Sequence, residues 1–201
     1  MLKAENIKKS FGKKTVLNRI NLDIGPAQLK AIVGENGAGK STLVKIIVGY
    51  WKADEGKLST KCSIGYCPQQ TLVFKQLTIE ENYRYFAAAY GLQPDERINQ
   101  EHFNYLMKLF KFEQYKNQKV IQLSGGTIQK LNLALALIHQ PNLLILDEPY
   151  NGFDWETYHS FWEFISLYKD IGNSVLLVSH LITDKSLFDR VYQLNNGKFD
   201  A

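Results

Sequence analysis

LKAIVGENGAGKSTLVKIIVG, residues 29 to 49, decides the fold. LKAIV (29–33) is a short apolar run that ends at a glycine-rich loop, the pattern of a buried strand. STLVKIIVG (41–49) places apolar residues at helical spacing and closes on a glycine. Between them, GENGAGKST (34–42) fits the phosphate-loop pattern of spaced glycines followed by Lys and Ser/Thr. Gly34, Gly37 and Gly39 let the backbone turn its N–H groups inward. Those groups and the helix N-terminus make a positive nest for phosphate, which Asn36, Ala38 and Thr42 complete. Lys40 would reach the β- and γ-phosphates of ATP, and the Ser41 hydroxyl would hold Mg²⁺.

Two later stretches belong to the same chemistry. NLLILDEP (142–149) is an apolar run ending in two carboxylates and a proline, as a buried parallel strand with functional groups at its C-terminal edge reads. Asp147 would bind Mg²⁺, and Glu148 is placed to polarise an attacking water. Pro149 cannot continue a central strand, so the chain must turn there. Upstream lies LSGGT (123–127), in which Ser124 has the character of a helix N-cap.

With these motifs in this order, the chain resembles the ATP-binding cassette family, specifically the nucleotide-binding subunit of a transporter. The resemblance covers nearly the whole chain. It implies that Phe11 takes the place of an aromatic that stacks on adenine, usually Tyr. Gln69 in GYCPQQ matches the loop glutamine that senses Mg²⁺ and the attacking water, with Gln70 beside it as the other choice. LSGGT matches the signature LSGGQ, so Ser124, Gly125 and Gly126 would bind nucleotide. Asp154 in YNGFD (150–154) matches the aspartate of a dimer-contacting loop, and His180 after SVLLVS matches the switch histidine at the γ-phosphate. Thr127 departs from the usual Gln, Lys130 from a common Arg and Ala53 from a frequent Pro; none removes a group that would carry the chemistry.

The implied fold is α/β: a RecA-like phosphate-loop NTPase core with an N-terminal antiparallel β subdomain and an inserted α-helical subdomain. Residues 1–201 would form one ATPase domain. Its core would comprise 1–74 and 137–201, and 75–136 would be the helical subdomain carrying the signature. Local patterns agree. INLDI (20–24) alternates as a strand. Thr78 and Glu81 have capping-box spacing ahead of an aromatic-rich helix over 82–90. GLQPDE (91–96) breaks that helix, and EHFNYLMKLFKF (101–112) starts another, with Phe103, Leu106, Met107 and Phe110 on one face. VYQLNNGKFD (191–200) reads as a hairpin turning at Asn196-Gly197.

In the family two subunits pack head to tail, each ATP lying between one phosphate loop and the partner's signature. The expected partners are therefore a second ATP-binding subunit, as homodimer or paralogue, and a separate transmembrane permease. Phe74, Tyr83, Tyr85 and Phe86 are candidates for the docking groove of the permease. The expected location is cytoplasmic, at the inner face of the cell membrane. The chain stops after its terminal hairpin, without the extension many importers carry, which favours export. The alternative is a soluble cassette ATPase acting on ribosomes or DNA, but ribosome-acting members usually carry two cassettes and DNA-repair members a long coiled coil.

Composition is compatible with these expectations. The chain has 201 residues and a net charge of +4, enough for one sizeable core with a small subdomain. Lys8, Lys9, Lys13 and Lys14 form a small basic cluster; a nucleic-acid surface would want more, so a solvated face is expected there and no nucleic-acid partner. No apolar run is long enough to span a bilayer. Cys62 and Cys67 flank CSIGYC at an odd spacing, which argues against a disulfide or a metal pair.

Overall fold

The computed structural model describes residues 1–150, 152–182 and 184–200. Asn151 of the expected YNGFD loop, and Ala201 at the end of the expected domain, lie outside them. The chain divides into two compact units. The first comprises Met1–Tyr66, Asn142–Glu148 and Tyr168–Ala201, and the second Cys67–Pro141 and Pro149–Leu167.

In the first unit, β1 (Leu2–Phe11), β2 (Lys14–Ile24) and β4 (Glu55–Thr60) form an antiparallel sheet of order β2-β1-β4. The alternation of INLDI is borne out, with Ile20, Leu22 and Ile24 buried. β4 carried no such signal, because EGKLST is exposed along almost its whole length. Its pairing is a tertiary fact: a Cβ on Gly56 would lie 2.5 Å from the Asn6 carbonyl oxygen.

The second sheet has the order β5-β6-β7-β3-β8-β9 among the described residues. Its strands are β3 (Leu29–Val33), β5 (Ile64–Cys67), β6 (Leu143–Asp147), β7 (Ser174–Ser179), β8 (Arg190–Asn195) and β9 (Lys198–Phe199). β3, β6 and β7 are buried at every position, as central parallel strands should be. Lys30 is tolerated inside β3 because its ammonium reaches the Asp23 carbonyl at 2.7 Å and carboxylate at 3.1 Å. β8 and β9 make the expected hairpin, with Asn196 and Gly197 both at positive φ, as its tight turn requires. Helix α1 (Lys40–Ile47) packs Leu43, Val44, Ile46 and Ile47 into the core shared with both sheets.

Register sets where the ends of these strands fall. Val33 pairs with Ser179, and Asp147 pairs with Val178. The C-terminal ends of β3, β6 and β7 therefore lie side by side at one sheet edge, where parallel α/β sheets hold their ligands.

The second unit is helical. The expected capping box opens α2 (Ile79–Ala89): Thr78 accepts from the Glu81 N–H, and Glu81 from the Thr78 N–H. Asn82, fully buried, bonds the backbone of Phe74 and Thr78. Helix α3 runs from Arg97 to Leu109, starting before the expected Glu101; its first turn carries no apolar stripe to mark it in the sequence. Phe103, Leu106, Met107 and Phe110 are buried as expected. Of the four aromatics offered as docking candidates, Tyr83 is core: it stacks on Phe103 at 4.3 Å and is 1% exposed. Helix α4 (Gly125–Leu137) is buried almost all round, and α5 spans Trp155–Asp170.

Candidate phosphate-loop site and signature surface

β3 delivers the chain to Gly34, and the loop closes at Gly39, the N-cap position of α1. The glycines are required by contact as well as by conformation. A Cβ on Gly34 would stand 2.3 Å from the Leu194 carbonyl oxygen. Gly39, at φ 111°, would meet Leu17 at 2.9 Å and the Val16 carbonyl at 3.0 Å. No side chain caps α1 and no acidic residue occupies its first turn. Its N-terminal N–H groups are thus available to an anion. The buried Lys40 ammonium donates to the carbonyls of Gly34 and Glu35, which holds it over the loop. Ser41 and Asn36 are exposed.

At the same sheet edge stand Asp147 and Glu148, 4% and 5% exposed. Burial, and then the neighbouring Glu148 charge, push the Asp147 carboxyl up to about 6; Lys40 and Lys45 act in the opposite sense. Glu148 takes φ 51°. This left-handed conformation is costly for a side-chain-bearing residue and breaks the strand's alternation. Its carboxylate turns towards the end of β7. There Oε1 accepts from the His180 N–H at 2.7 Å and lies 2.9 Å from His180 Nδ1, with the Ser179 hydroxyl 3.2 Å from Oε2.

Phe11 ends β1 and is 46% exposed. Its ring meets Trp51 edge-on at 5.1 Å, and Lys45 of α1 lies 4.6 Å from the Trp51 ring centroid. Trp51 escaped the sequence reading; its only signal was an aromatic shortly after the phosphate-loop helix. Asp54 steadies the end of β1 by accepting from Ser10 N–H and Lys9, each at 2.7 Å.

Ser124, Gly125, Gly126 and Gln69 belong to the second unit. Ser124 is the N-cap of α4, its hydroxyl accepting from the Thr127 N–H at 3.2 Å and lying 2.9 Å from Thr127 Oγ1. The unusual Thr127 therefore fixes the Ser124 hydroxyl. A Cβ on Gly126 would stand 2.4 Å from the Gly152 carbonyl oxygen, whereas one on Gly125 would meet nothing within 4 Å. Lys130 reaches Asp154 at 3.2 Å, and Asp154 also caps α5 through the Thr157 N–H at 2.8 Å. The Thr157 hydrogen bonds first, and then Lys130, hold the Asp154 carboxyl down at about 2. Ser124, Gly126, Thr127, Lys130 and Asp154 line a cleft of about 500 Å³. Gln69 and Gln70 are both exposed after β5.

The residues at the sheet edge fit a magnesium nucleotide. A buried cation stands over a loop in which a Cβ at Gly34 or Gly39 would collide with its surroundings. The Ser41 hydroxyl and Asp147 carboxylate are hard oxygen donors of the kind Mg²⁺ takes alongside substrate phosphates. Fold and site define a phosphate-loop ATPase.

Comparison with known proteins narrows this. The family described as "ABC transporter" matches residues 17–151. A Nod factor export ATP-binding protein I of Rhizobium sp. (strain N33) is 31% identical, covering 96% of this chain and 67% of its own length. The chain spans only 30% of another relative, ABC transporter G family member 23 of Dictyostelium discoideum, at 30% identity over 98% of this chain. An ATP-binding subunit of an ABC transporter superposes with a TM-score of 0.92 at 28% identity, covering 100% of this chain and 88% of that one. A dimeric ATP-binding cassette in a post-hydrolysis state, bound to ADP and Pi, superposes with a TM-score of 0.89 at 25% identity, covering 100% and 97%. The chain belongs to the ABC transporter family and carries its ATP-binding, ATP-hydrolysing cassette.

Proposed function

We propose that this chain powers export through a separate transmembrane permease, two ATP-binding subunits closing around two ATP. Similarity to a protein named for Nod factor export supports the direction, and the location would be the inner face of the membrane. No helix among the described residues is long and apolar enough to cross a membrane. Residues 75–136 would serve as the helical subdomain that meets it, with Phe74, Tyr85 and Phe86 as docking aromatics. The rings of Tyr85 and Phe86 lie 4.5 and 6.1 Å from that of Phe74, and Phe74 and Tyr85 are both exposed.

In the proposed reaction, Lys40 and the N–H groups at the start of α1, with Asn36, Gly37, Ala38 and Thr42, bind the phosphates of ATP. Phe11 stacks on the base. Ser41, Asp147 and Gln69 would hold Mg²⁺, which when bound would neutralise charge on the phosphate oxygens. Glu148 takes a proton from the attacking water as its oxygen bonds to the γ-phosphorus. The bond to the bridging oxygen breaks, leaving ADP and phosphate. His180 holds the Glu148 carboxylate in place, and Gln69 orients the water. Ser124 with the N–H groups of Gly125 and Gly126 serves the partner's γ-phosphate.

The observation that carries this reading is the pair of contacts from His180 to the Glu148 carboxylate, at the edge where β3 delivers the phosphate loop. Glu148→Gln should lower turnover by about 10²–10⁴-fold while an ATP-dependent dimer persists in size-exclusion chromatography. Normal phosphate release by this variant would remove the general-base assignment.

A further inference from the structure

Helix α4 carries a buried amide that packing does not require. Asn132 is 4% exposed, between Leu131 and Leu133, which are fully buried. Its Nδ2 donates to the Pro68 carbonyl at 2.9 Å and lies 3.2 Å from Cys67 Sγ. A leucine or alanine would fill such a position without the cost of burying a carboxamide. What Asn132 adds is the bond. Pro68 has no N–H, so the backbone leaves the sheet there. Its buried carbonyl is held by Asn132, and the next residue is the exposed Gln69.

The same helix begins at Ser124. Asn132 stands eight positions further on, about 12 Å along the axis. α4 is enclosed along nearly its full length, so its two ends cannot move independently. One stiff element therefore holds the Ser124 cap at its start and the root of the Gln69 segment two turns later.

We propose that Asn132 is a positioning residue that ties the Gln69 segment to the signature helix, so that Gln69 and Ser124 move as one piece. Resting on the roles given above to those two residues, this makes α4 the relay between a subunit's own nucleotide, met by Gln69, and its partner's, met by Ser124. Asn132 touches neither nucleotide. It acts by denying the Pro68–Gln69 backbone a position independent of α4.

The buried thiol beside the amide reports on the bond. In the full-length protein, Asn132→Asp keeps the shape but loses the donor, and Asn132→Ala removes the group. Both should accelerate labelling of Cys67 by a thiol reagent, read by peptide mass spectrometry, about tenfold, while Cys62 labels at its wild-type rate. ATP turnover should show kcat lowered about tenfold with KM for ATP unchanged. The Asn132→Ala/Gln69→Ala double variant should be no slower than Gln69→Ala alone. If Asn132→Asp fails to fold, Asn132→Ala carries each measurement. Wild-type labelling of Cys67 overturns the tether. Faster labelling with wild-type kcat, or with losses that add to those of Gln69→Ala, overturns the relay. Should Gln69→Ala itself turn over normally, the role given to Gln69 fails together with the relay, and labelling of Cys67 still decides the tether.

Discussion

The two signature glycines should answer the same substitution in opposite ways. At Gly126 an added Cβ would lie 2.4 Å from the Gly152 carbonyl oxygen and 3.4 Å from its carbon, whereas at Gly125 it would enter open space. Both sides of the Gly126 contact are backbone, so no rotamer change relieves it. Overpacking of this kind costs about 1–3 kcal/mol. The displaced loop also carries Asp154, whose carboxylate caps α5 and pairs with Lys130. For a chain of this size each kcal/mol moves Tm by about 2–4 °C, so Gly126→Ala should lower Tm by roughly 2–12 °C. Neither glycine has a positive φ. Alanine at 125 therefore fits the helical backbone and restricts the unfolded chain, a gain of about 0.4–1 kcal/mol. Yet its Cβ would stand beside the N–H groups proposed to meet the partner's phosphate, so Gly125→Ala should lose turnover while gaining stability. Thermal denaturation by circular dichroism and a phosphate-release assay, run on both variants, read the two effects separately. A wild-type Tm for Gly126→Ala would refute the close approach of the loop. Wild-type turnover for Gly125→Ala would take the signature out of the nucleotide site.

Asp147 supplies a pH test. Its carboxyl is pushed up from 3.8 to about 6, so the folded chain keeps a proton that the unfolded chain has released. That stabilisation is complete below 3.8 and lost as pH rises through about 6, a difference of about 3 kcal/mol at most. Asp147→Asn, which cannot ionise, should match the wild type near pH 4 and exceed it in stability near pH 8 in Mg²⁺-free buffer; equal denaturation midpoints at pH 8 would refute the buried charge. Tyr83 and Tyr85 should part company in chemical denaturation. Tyr83→Ala, which removes a ring stacked on Phe103, should cost about 3–5 kcal/mol, whereas the exposed Tyr85→Ala should stay within about 0.5 kcal/mol of wild type. A large loss at Tyr85 would contradict its place on the surface.

Legibility followed the range of the interaction that made each feature. The phosphate loop, the apolar strands and the Thr78–Glu81 capping box depend on neighbours a few residues away, and each was visible as a spacing. β4 was invisible because EGKLST is exposed and is held by pairing with β1. Tyr83 and Tyr85 are the same residue type on one helix. Only the placement of Phe103 decides that the first is core and the second a surface ring. Trp51 stands beside Phe11, forty residues earlier, only because the fold sets the two rings edge-on.

The sequence by itself determined that this chain binds phosphate on a strand–loop–helix unit, ends a buried strand in Asp147 and Glu148, and opens a helix at Ser124. These follow from local chemistry: glycines that permit a tight loop, apolar runs that must be buried, a hydroxyl that caps. The tertiary structure alone decided what those groups touch. It set Glu148 against His180 through the left-handed turn at its own backbone and the parallel register of β6 and β7. It gave Thr127 the Ser124 hydroxyl, Lys130 the Asp154 carboxylate and Asn132 the Pro68 carbonyl. The last two pairs join residues far apart in the chain, and the first joins side chains only once α4 has formed. No periodicity encodes such meetings; they exist only when the core has closed and the side chains have lost their freedom to be elsewhere.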